Sequence, residues 1–180
     1  MEMRAVDDGF LVCGDPIGWL RERGYGASNG KCRRLEVYEA LYLLERGDAS
    51  ASGRDGTPLN KSDLLALGAK GDDRFLTKYI IYRDLRNRGY VVREGYGLGG
   101  DLRLYGRGEY GNNDAGYIVV ALEEGSRIPA SRLTRIHMRA MNLGKGLILA
   151  VVESRGDVVY YSMAQFNPRR GSGDETGGIP

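Results

Sequence analysis

The chain contains a single histidine, His137, and imidazole is the side chain whose ordinary pKa of about 6.5 suits proton transfer near neutral pH. His137 falls inside a run of helical spacing, where packing or a surface position accounts for it. Metal chemistry has little more to draw on. Cys13 and Cys32 with one distant histidine do not complete a four-ligand zinc set, and they read as two separate small core residues. Asp101 and Glu153, the latter two residues before Arg155, bear a faint likeness to paired carboxylates with a neighbouring cation, the arrangement of a metal-dependent nuclease. The glycine cluster from Gly95 to Gly100 precedes a strand instead of opening a helix, so it reads as a turn and not as a phosphate cradle.

Charge points more clearly to a polyanion. The net charge of +2 hides an asymmetry: residues 1–73 carry 10 Lys/Arg against 13 Asp/Glu, whereas residues 74–170 carry 16 against 9. Affinity for nucleic acid comes largely from Lys and Arg neutralising phosphates, so the second part of the chain is the better candidate for such contact. Solvated basic helix faces give the same signal.

The elements that must position these groups follow from periodicity and punctuation. Phe10–Cys13 reads as a strand, and Ile17 starts a short helix closed by Gly24. Arg33 to Arg46 has the spacing of a helix, with Leu35, Val37, Ala40, Leu41 and Leu44 on one broad face. Residues 49–57 read as a polar loop, after which Asn60 or Ser62 caps a small helix through Leu67. A second unit begins after Asp73: a helix from Phe75 to Arg88 ended by Gly89, then strands at Tyr90–Glu94, Asp101–Tyr105 and Tyr117–Leu122. A helix over Ala130–Leu143 and a hairpin of Gly146–Val152 with Val158–Met163 complete it.

The predicted fold class is therefore α/β (mixed α+β), with a small mixed N-terminal domain at 1–73, a C-terminal domain at 74–168 and a flexible tail at 169–180. The C-terminal domain is expected to hold a central mixed sheet flanked by helices. An apolar content of 42% suffices for a core, and no run of about 18 apolar residues exists. The first residues lack the pattern of a signal peptide, so the chain is expected to be soluble and cytoplasmic, with no membrane partner.

Three stretches carry a family likeness. They are LRERGYG at 20–26 with LEVYEALYLLE at 35–45; the region from Tyr79 to Gly108, including YRDLRNRGY at 82–90 and DLRLYGRG at 101–108; and KGLILAVVESRGDVVYY at 145–161. With these the chain resembles the archaeal tRNA-splicing endonuclease family over residues of about 10 to 166. The resemblance implies a nuclease-like C-terminal domain and cleavage of precursor tRNA at a bulge-helix-bulge, leaving 2′,3′-cyclic phosphate and 5′-hydroxyl ends, with no metal and no cofactor. Such a reaction needs a base for the 2′-hydroxyl, an acid for the leaving 5′-oxygen and positive charge at the phosphorane.

The family is understood to use a tyrosine, a histidine and a lysine. The resemblance places the tyrosine at Tyr105 and the lysine at Lys145, while the histidine position falls on Asp114, with Ala115 as the alternative. A carboxylate has an ordinary pKa of about 4 and adds negative charge beside a phosphodiester, so Asp114 does not replace imidazole. Met138 stands where relatives carry an arginine for RNA, and Gly146 where a second lysine is frequent. The resemblance thus implies the structural subunit of an α2β2 heterotetramer, with Tyr105 and Lys145 as vestigial positions and a catalytic endonuclease subunit as partner.

Phosphate contact is assigned to Arg83, Arg86, Arg103, Arg107, Arg135 and Arg139. Subunit contacts are assigned to an acidic loop at Glu153 and Asp157 and to the last strand, with Tyr160, Tyr161 and Phe166. The alternative is an active metal-independent endoribonuclease in which another residue replaces the missing histidine.

Overall fold

The computed structural model describes residues 1–95, 97 and 99–165. Two mixed sheets organise them. The first runs in the order β3-β4-β2-β1-β5-β6, formed by β1 (Glu2–Val6), β2 (Gly9–Cys13), β3 (Ala27–Asn29), β4 (Cys32–Leu35), β5 (Ser50–Ser52) and β6 (Pro58–Leu59). Its helices are α1 (Pro16–Glu22), α2 (Val37–Glu45) and α3 (Lys61–Gly71). Asn60 caps α3, accepting from Ser62 N at 2.8 Å and Asp63 N at 3.2 Å, while the Asp63 carboxylate accepts from Asn60 N.

Two expectations need correction here. The helix expected from Arg33 starts only at Val37, because Cys32–Leu35 pairs antiparallel with β2 and its alternate residues Arg33 and Leu35 turn inward. The expected loop at 49–57 holds β5, which lies parallel to β1 with Met3 opposite Ala51. A third correction concerns the cysteines. Cys13 faces Cys32 in the β2–β4 register with Cα atoms 4.2 Å apart, and the two form a disulfide. Cys13 is exposed, so neither packing nor burial explains the pair; the register does.

The second sheet has the order β11-β10-β9-β8-β7, from β7 (Val91–Glu94), β8 (Leu102–Tyr105), β9 (Tyr117–Glu123), β10 (Gly146–Val152) and β11 (Val158–Met163). Helix α5 (Ala130–Asn142) connects β9 to its parallel neighbour β10. Both faces of β9 are covered, which is why its run of Ile118, Val119, Val120 and Ala121 is buried throughout. On one face Val119, Ala121, Ala150 and Val152 join the larger core with residues of α4 (Phe75–Asn87). On the other, Ile118, Val120 and Leu147 pack with Ile136 and Ala140 of α5.

The larger core continues from these residues through α2 into Met3, Phe10 and Val12 of the first sheet. Tyr82 of α4 is fully buried against Tyr38 and Tyr42 of α2, with ring centres 4.7 and 5.7 Å apart. Among the described residues no helix is long and apolar enough to cross a membrane.

Candidate functional site

Strand β8 ends at Tyr105, half-buried, and the loop that follows folds back beside it. Glu109 shapes that loop: its carboxylate accepts from Gly106 N at 3.1 Å, and its carbonyl accepts from Asn112 N and Asn113 N at 3.1 and 2.9 Å. The result sets the Tyr110 ring edge-on to Tyr105, 4.9 Å between centres at 82°. Both tyrosines line an open cavity of about 880 Å³ together with Arg21, Glu22 and the loop residues Gly111 to Asp114. Asp114 is exposed there, whereas Ala115 is buried.

Lys145 follows the end of α5 and reaches the same loop. Its ammonium donates to Ala115 O at 2.6 Å, and the next backbone amide, Gly146 N, donates to Gly116 O at 2.9 Å. Lys145 thus fastens the residue after Asp114 and is not among the cavity's lining residues. His137 is absent from that lining too; both its ring nitrogens are buried without a hydrogen-bond partner among the described residues. The geometry brings Tyr105 and Asp114 to one cavity, with Lys145 one residue behind it.

The six arginines divide. Arg135 and Arg139 are exposed on α5, and Arg107 is exposed with its guanidinium 5.0 Å from the Tyr90 ring centre. Arg83 lies 3.9 Å from Glu45 and over Tyr79. Arg103 is half-buried, with an Nε that has no partner among the described residues. Arg86 is a correction: only 9% exposed, it donates to the carbonyls of Arg23 and Gly24 at 2.9 and 3.2 Å and lies 4.0 Å over the Tyr25 ring. Its charge is engaged inside the protein and cannot reach a phosphate.

Asp101 belongs to the interior as well, accepting from Ala121 N at 2.8 Å and from Arg74 at 2.6 Å, so both its oxygens are engaged within the protein. Glu153 and Asp157 are exposed at the β10–β11 turn, where Glu153 N donates to Asp157 O. Tyr160 faces α4 and donates to Asp84 at 2.6 Å; burial and that carboxylate together push its hydroxyl well above the usual tyrosine range. Tyr161 points the other way and is 55% exposed on the edge strand. Phe166 lies outside the described residues.

A mixed sheet sandwiched by helices, with a tyrosine-lined cavity at the end of β8 and a lysine tied to its loop, defines a nuclease-like α/β protein. Residues 75–160 match the family described as tRNA intron endonuclease, catalytic C-terminal domain. Over its greater length the chain is similar to the tRNA-splicing endonuclease of Pyrococcus furiosus, 37% identical over 164 residues, covering 86% of this chain and 94% of the relative. The enzyme of the same name from Methanococcus maripaludis is 34% identical over 149 residues, 83% of this chain and 84% of its own. The chain belongs to the tRNA-splicing endonuclease family.

Sequence reasoning missed Arg21, Glu22 and Tyr110 as cavity residues. Tyr110 was within reach, being a tyrosine in the loop next to Tyr105. The other two come from α1, and no local pattern connects them to this loop.

Proposed function

We propose that this chain is the structural subunit of a tRNA-splicing endonuclease. It supports a catalytic partner in an α2β2 assembly that cuts precursor tRNA at bulge-helix-bulge introns. The observation that carries the reading is the chemistry of the cavity beside Tyr105: its lining offers tyrosines, amides, one arginine and two carboxylates, and no imidazole. Cleavage to a cyclic phosphate requires a proton relay at the 2′- and 5′-oxygens, the task for which imidazole is the usual side chain. The exposed turn at Glu153 and Asp157 and the open edge of β11 suit contacts to other subunits, and Arg107, Arg135 and Arg139 suit RNA.

A second reading draws on one fact: Tyr105 and Asp114 share a cavity that Lys145 supports. In that reading the chain is itself an active, metal-independent endoribonuclease with Asp114 in place of histidine. One experiment separates the two. The purified chain, incubated with precursor tRNA in EDTA, is expected to leave it intact, and addition of a histidine-bearing catalytic subunit is expected to produce cyclic-phosphate ends at both splice sites. Cleavage by the lone chain, abolished by Tyr105→Phe, would establish the second reading instead.

A further inference from the structure

Arg21 enters the cavity beside Tyr105 from the last turn of α1, an element of the first sheet's layer. It is exposed and makes no ion pair with a described residue, although Glu22 and Asp114 line the same space. What lies behind it is unusual in charge. Three arginines converge on the four carbonyls that follow α1: Arg33 donates to Tyr25 O at 2.8 Å and Gly26 O at 2.5 Å, Arg86 to Arg23 O and Gly24 O, and Arg93 to Gly24 O at 3.1 Å and to Gly26 O. One carboxylate accompanies them. Glu39, 1% exposed, accepts from Gly26 N and from Glu36 N, and lies 4.0 Å from Arg93.

Three guanidinium groups face one fully buried carboxylate, with Glu36 acting on Arg93 beside it, so positive charge still exceeds negative in a poorly solvated layer, where fields are weakly screened. The crowding registers on Arg33, whose pKa is pushed down by burial and then by the neighbouring Arg93. This layer adjoins the cavity directly. Gly24, whose carbonyl takes two of the arginines, packs so closely on Tyr110 that a Cβ there would lie 3.0 Å from the ring's Cζ. Tyr110 is therefore a thin wall between the cavity and a cationic interior.

We propose that this face is a phosphate-binding part of the RNA surface, with Arg21 gripping a backbone phosphate of the substrate in the cavity and the clamped turn at 23–26 supplying fixed positive potential behind it. Arg21 is a positioning residue in this scheme, since no bond changes at it. Arginine suits the task because its planar fork pairs with two phosphate oxygens. The carboxylates of Glu22 and Asp114 oppose the phosphate and moderate its affinity. The inference rests on the reading of the chain as an RNA-binding subunit, and its test separates the two.

The probe is a fluorescent bulge-helix-bulge RNA carrying 2′-deoxyribose at both scissile positions, so that it stays intact, titrated with the full chain over a range of salt. Arg21→Ala is expected to weaken binding about ten-fold and to lower the log–log salt slope by about 0.7 to 0.9, the signature of one lost phosphate contact. Arg21→Lys keeps the slope and recovers part of the affinity. Asp114→Asn tightens binding. If Arg21→Ala leaves affinity and slope unchanged while Arg135→Ala with Arg139→Ala reduces both, the Arg21 assignment is overturned and RNA binding by the chain stands. If the wild-type chain binds no RNA, alone or with a catalytic subunit added, both fall together.

Discussion

Arg86 shows how one residue type serves two ends. In the sequence it sits among arginines of a basic helix, and nothing in YRDLRNRGY separates it from Arg83 or Arg88. In the fold its neighbours are aromatic rings and carbonyls: Tyr82 Oη accepts from Nε at 3.0 Å, two carbonyls accept from the outer nitrogens, and Tyr25 stacks beneath. Truncation would leave the Arg23 carbonyl without a donor, costing about 1 to 3 kcal/mol, would leave the Gly24 carbonyl to Arg93 alone, and would remove a cation–π contact. Arg86→Met is accordingly expected to lower unfolding free energy by about 3 kcal/mol in urea titrations, with the salt slope of RNA binding unchanged. A variant as stable as wild type but poorer in RNA binding would return Arg86 to the phosphate surface.

At the scale of elements, strength of signal followed length and punctuation. Helices α4 and α5 were legible to within a residue because apolar periodicity ran for three turns and glycines closed it. Strands β9 and β10 were legible as uninterrupted apolar runs. The two- and three-residue strands β3, β5 and β6 were not, because Ala-Ser-Asn or Ser-Ala-Ser is too short and too polar to show alternation; such strands exist only because a neighbour offers them a ladder. The same cause hid β4 and with it the disulfide, since pairing of Cys13 with Cys32 depends on a register that the sequence does not display. Family likeness pointed to Tyr105 and Asp114, which line the cavity, and to Lys145, which does not, whereas Arg21 and Glu22 reach it only through packing of α1.

The disulfide carries an element-scale prediction. It closes a loop with a sequence separation of 19, for which lost chain entropy in the unfolded state corresponds to about 3 kcal/mol. Cys13→Ser with Cys32→Ser, or reduction by dithiothreitol, should therefore lower the unfolding free energy by roughly that amount. A double variant equal in stability to the oxidised protein would show that the β2–β4 ladder needs no staple.

For the whole molecule, the junction between the two sheets is held by groups with opposite responses to pH. Glu36, at the start of α2, and Glu94, on β7, line a cavity of about 670 Å³ that Phe10, Tyr38 and Phe75 also border. Burial raises the pKa of both; Glu39 adds to the effect at Glu36, while Lys78 and the Tyr38 hydroxyl, 3.0 Å away, only partly offset it at Glu94. Asp72 goes the other way, because Lys78 at 2.9 Å and the Arg74 N–H outweigh its burial. A carboxyl with a raised folded pKa binds its proton more tightly in the native state. Its contribution to stability is full below the unfolded pKa and is lost as pH rises through the folded one. Asp72 contributes above the unfolded pKa and loses its share as pH falls. Glutamine at 36 and 94 removes the first response and leaves the second. The difference in unfolding free energy, Glu36→Gln/Glu94→Gln minus wild type, is thus expected to become more positive as pH is raised from about 4 to 7. Thermal or urea melts at several pH values measure it directly. A difference that stays flat or falls over that range would mean that both carboxylates are solvated in the folded protein, and that the junction is wetter than its packing indicates.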